Sequence, residues 1–82
     1  MNNVTEAYKY ARRKFNELNK KFRFVHISVS YNKYNDTIYV QITSVNKYTE
    51  KEKEEFHDEF QKVRNSIIDK YPKIYLEYKI TQ

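Results

Sequence analysis

No cysteine, glycine or tryptophan occurs in this sequence, and proline occurs once, at position 72. Each absence removes a class of function. Without cysteine there is no disulfide, no thiolate metal site and no sulfur nucleophile. Without glycine there is no glycine-rich loop to cradle a phosphate, and all-β folds that depend on glycine turns are disfavoured. No apolar run approaches the ~18 residues that read as a membrane span. The opening Met1-Asn2-Asn3-Val4-Thr5-Glu6 lacks the charged-then-apolar layout of an export signal. These features set the expectation of a cytoplasmic protein with no membrane partner. Ser28, Ser30, Ser44 and Ser66 lie in no strained turn that would activate a hydroxyl. A chain of 82 residues leaves little room for a water-excluding pocket. No enzyme, no catalytic residue and no cofactor are therefore expected.

Charge is present in quantity and unevenly placed. The net charge is +5; residues 1–23 hold seven Lys/Arg against two acids, and residues 49–72 hold five against seven. The first part of the chain is basic, and a field of that kind favours anionic partners. Asn, Lys, Ile and Tyr are abundant, and their AT-rich codons point to an AT-rich genome, bacterial, phage or archaeal-viral.

Five elements follow from periodicity. Val4, Ala7, Tyr8, Ala11, Phe15, Leu18 and Phe22 form a helical stripe over about 4–22, with Asn3 and Glu6 placed as a capping box. Val25, Ile27 and Val29 alternate with His26, Ser28 and Ser30 in a strand over about 23–31. The stretch 31–36 reads as a hairpin turn in which Asn and Asp supply the left-handed backbone that glycine usually provides. A second strand covers about 37–45, with Ile38, Val40 and Ile42 on one face. Thr49 and Glu52 cap a helix over about 50–71, whose stripe is Phe56, Phe60, Val63, Ile67 and Tyr71, and Pro72 stops it. The last strand, about 73–81, turns Ile74, Leu76, Tyr78 and Ile80 to one side.

The resulting fold class is α+β: a single compact domain over 1–82, order α-β-β-α-β, with two helices on one face of a three-stranded sheet. A third strand beside the first gives an antiparallel sheet of order 2-1-3; beside the second it makes a parallel pair. The cleaner pattern of the first strand favours it as the centre, hence an antiparallel sheet. This order of elements, over roughly 4–80, resembles the cytoplasmic C-terminal domain of cation diffusion facilitators and a ferredoxin-type fold lacking its first strand. The resemblance implies a fold and no function.

Two surfaces stand out. On the first helix Lys9, Arg12, Arg13 and Lys20 lie opposite the apolar stripe, flanked by Lys14, Lys21 and Arg23. Such a band attracts phosphates, with Arg12 and Arg13 as clamps and Lys9 and Lys20 adding field. On the sheet face away from the helices the alternation places Phe24, Tyr39 and Tyr75 beside His26, Gln41 and Lys79. Rings there stack bases, pair across strands or meet a second copy. The RNA-recognition motif uses such a face, but its signature needs glycine. His26 and His57 are 31 positions apart in no metal-binding spacing, so no metal site is expected. The acids Glu50, Glu52, Glu54, Glu55, Asp58 and Glu59, interleaved with lysines, read as a solvated helix surface.

The leading expectation is a non-enzymatic module that binds an anionic partner, nucleic acid or nucleoprotein. One alternative is a small phage or mobile-element inhibitor that occupies a host enzyme, as anti-CRISPR proteins do. Another is a homodimeric structural or sensing module, since pairing that hides the open face or an edge strand would help so small a core.

Overall fold

The computed structural model describes residues 3–81, with the backbone alone described at Asn3. The cap expected from the Asn3 side chain lies outside the described residues. Helix α1 runs Asn3–Lys21, strand β1 Val25–Asn32, strand β2 Thr37–Ser44, helix α2 Glu50–Lys70 and strand β3 Tyr75–Thr81. The order α-β-β-α-β and the layering of helices on one sheet face are as the periodicity dictates.

Local chemistry sets the boundaries. Asp36 takes the left-handed backbone, φ 51°, that closes the hairpin in the absence of glycine. Thr49 and Glu52 complete a reciprocal capping box: the Glu52 N–H donates to Thr49 Oγ1 at 3.1 Å and the Thr49 N–H to Glu52 Oε1 at 2.9 Å. At the far end, the Tyr71 N–H closes α2 onto the Ile67 carbonyl just before Pro72.

The core lies between the layers. Val4, Ala7, Ala11, Phe15 and Leu18 of α1, Phe22 just after it, and Phe60 and Ile67 of α2 are buried with Val25, Ile27, Ile38, Val40 and Ile42 of the sheet. Phe15 and Phe60 join the helices with ring centroids 5.4 Å apart, and Phe56 meets Phe22 at 5.4 Å.

The sheet order corrects the expectation of a central β1. Strand β2 is central; β1 pairs with it antiparallel and β3 parallel, so the sheet is mixed. The other edge of β1 is engaged at Ile27. Asn19 on α1 donates from Nδ2 to the Ile27 carbonyl at 2.9 Å and accepts the Ile27 N–H on Oδ1 at 2.8 Å. This side chain fills the place a neighbouring strand would take, leaving the free edge of β2 for β3. A clean apolar alternation reports one covered face, not a central position.

The helix-side row of β3 is also less sealed than its alternation predicts. Ile74, just before the strand, is buried, but Leu76 is half-buried and Tyr78 and Ile80 are 49% and 62% exposed. The α2 stripe divides its contacts between α1 and the sheet, and Phe60 meets the Tyr78 ring at 5.6 Å.

Candidate polyanion interface

The apolar stripe of α1 faces the sheet, so its basic residues face solvent. Lys9, Arg12, Arg13, Lys20, Lys21 and Arg23 are exposed and Lys14 is half-buried. From Lys9 to Lys20 the band extends about 16 Å along the helix axis at 1.5 Å per residue. Lys21 is engaged: its Nζ sits 3.2 Å from Glu59 Oε1, a carboxylate that also has Lys62 at 4.0 Å. Among the described residues no carboxylate lies within ion-pair distance of Lys9, Arg12, Arg13, Lys14, Lys20 or Arg23. Glu17 shares the exposed surface with Lys9, Arg12, Arg13 and Lys20 without forming an ion pair.

One contributor escapes the sequence. Lys70, at the end of α2, places its Nζ 4.5 Å from the centroid of the Tyr10 ring, which also holds the Arg13 guanidinium at 5.6 Å and Lys14 Nζ at 5.7 Å. The Tyr10 hydroxyl hydrogen-bonds to Ser66, which fixes the ring in the seam between the helices. Three cations thus gather around one aromatic ring. Reading each helix on its own wheel cannot find a charge that the other helix brings.

The open sheet face differs from its expected composition. Phe24 does not belong to it. That residue lies in the turn before β1, is 7% exposed, and packs on Tyr48, Phe22 and Phe56 at 4.9, 6.0 and 6.0 Å. Alternation governs a side chain only within a strand, and β1 begins at Val25. The other members do share the face: His26, Tyr39, Gln41, Tyr75 and Lys79 are all exposed. Register aligns Ser28, Gln41 and Lys79 in one row and Ser30, Tyr39 and Glu77 in the next. These two rows line a shallow depression of about 360 Å³. Tyr39 and Tyr75 are diagonal neighbours near the hairpin end, and the Tyr39 hydroxyl accepts from Asn35 Nδ2 at 3.2 Å. With Phe24 withdrawn, the face is mainly small and polar, and Tyr39 is only 37% exposed.

The two surfaces lie on opposite sides of the molecule, because the helices separate the basic band from the sheet. His26 lies on the sheet and His57 on α2, and among the described residues no group of three metal-ligating side chains converges. No helix among them is long and apolar enough to cross a membrane. No protein-family model, curated protein or solved structure matches the chain, so function is argued from these side chains alone.

Proposed function

We propose that the protein is a non-enzymatic binding module that engages nucleic acid through the outward face of α1. The observation that carries this reading is that, among the described residues, no carboxylate lies within ion-pair distance of Lys9, Arg12, Arg13 or Lys20, which line the outward side of a helix whose apolar stripe is buried in the core. Cations not neutralised by a carboxylate of their own chain remain available to phosphate, and each phosphate neutralised releases condensed counterions. Arg12 and Arg13 supply forked donors, and Lys9 and Lys20 act as point charges along the same axis. Contacts of this kind address the backbone and not the bases, so affinity is indifferent to sequence.

Fluorescence anisotropy with labelled duplex and single-stranded DNA and RNA, over a series of salt concentrations, tests the reading. Log affinity falls linearly with log salt, and the double substitution Arg12→Ala/Arg13→Ala lowers the slope by about two, one per lost contact. Absence of binding to every such nucleic acid at low salt rejects the proposal.

A further inference from the structure

We propose that β3 is a self-pairing edge: two copies of the chain join antiparallel through residues 75–81, centred on Tyr78, into one six-stranded sheet. The inference is independent of nucleic-acid binding and rests on a different surface.

The two edges of the sheet are treated differently. Asn19 closes the β1 edge at Ile27. Among the described residues the β3 edge has no such cover. The Tyr75 N–H donates to the Asp36 carbonyl at 2.9 Å, in register with the Thr37–Tyr75 pairing. In a parallel ladder, alternate residues direct both backbone groups to the same neighbour. Tyr75, Glu77 and Lys79 therefore face β2, and Leu76, Tyr78 and Ile80 turn their N–H and C=O groups outward. Among the described residues no side chain bonds to those outward groups. Their side chains form the row left partly uncovered, with Tyr78 and Ile80 largely exposed.

The strand is complementary to itself. In an antiparallel pair centred on Tyr78, Tyr78 meets its own copy and Leu76 meets Ile80 of the second copy. These are the hydrogen-bonded positions, as the outward backbone groups require. Glu77 then falls opposite Lys79 of the second copy, twice by symmetry. Those are the non-hydrogen-bonded positions, where opposed side chains come closest. The two adjacent registers compatible with the same backbone groups fail: one sets Glu77 against its own copy, the other Lys79 against its own. Charge thus selects one register. On the helix side, the apolar row of one copy continues into that of the next, covering Tyr78 and Ile80. The twofold symmetry closes the assembly at two copies through an isologous contact.

Sedimentation velocity of the full chain over a concentration series tests the pairing. A reversible dimer is expected. Glu77→Lys alone or Lys79→Glu alone brings like charges together at both symmetric positions and weakens the dimer about tenfold or more. The double exchange Glu77→Lys/Lys79→Glu restores it. Amide exchange gives a second readout: Leu76, Tyr78 and Ile80 gain protection as concentration rises, while Glu77 and Lys79 do not change. A chain that stays monomeric throughout, including one that pairs with an added foreign strand instead, overturns the proposal. So does a dimer indifferent to both single exchanges.

Discussion

Phe24 and Tyr75 carry rings of similar size and meet opposite fates. Phe24 is enclosed by Phe22, Tyr48 and Phe56, whereas Tyr75 is 70% exposed. Phe24→Ala leaves a cavity among aromatic neighbours and costs about 3–5 kcal/mol, measured by urea denaturation. Tyr75→Ala changes stability by less than about 0.5 kcal/mol in the same assay. The reason Phe24 is easily misplaced is specific. Its parity matches His26, but it lies before the strand, and a turn obeys no period. Tyr48, which covers it, comes from the loop before α2, a contact no local pattern displays. Tyr39 and Gln41 were legible because each sits inside a regular strand with buried neighbours on both sides along the chain, and Lys79 because it lies within the alternation of β3.

At the scale of elements, the link between α1 and β1 decides the topology. Asn19 occupies a position of the α1 apolar stripe, four residues after Phe15 and three before Phe22, and is only half-buried. A polar amide inside such a stripe is the one signal in the sequence that a backbone partner waits opposite. Asn19→Ala leaves the N–H and C=O of Ile27 without partners and costs about 1–3 kcal/mol. Urea denaturation measures the loss, and faster amide exchange at Ile27 locates it. The helices and strands themselves were readable because their caps and breakers are local: Thr49 with Glu52, Asp36 in the hairpin, and Pro72 after α2. The neighbour of β3 was not readable. It depends on which edge α1 has already filled, a tertiary fact carried by one side chain. The partial exposure of Tyr78 and Ile80 has the same origin, since helical periodicity does not say how α2 shares its stripe between α1 and the sheet.

For the whole molecule, the two-layer arrangement separates the basic band from the open sheet face, and that separation has a measurable result. A nucleic acid lying along α1 does not reach Tyr39 or Tyr75. The double substitution Tyr39→Ala/Tyr75→Ala therefore leaves both affinity and salt slope unchanged in anisotropy titrations, in contrast to Arg12→Ala/Arg13→Ala. Layering was legible because every element has a single apolar face, and elements of that kind stack in few ways. The central place of β2 also bears on biosynthesis. The ribosome releases β2 well before β3, with all of α2 between them. During that interval the nascent hairpin is closed by Asn19 on one flank and open on the other. An unfinished chain is thus most vulnerable to mispairing along β2, and the arrival of the third strand ends that exposure.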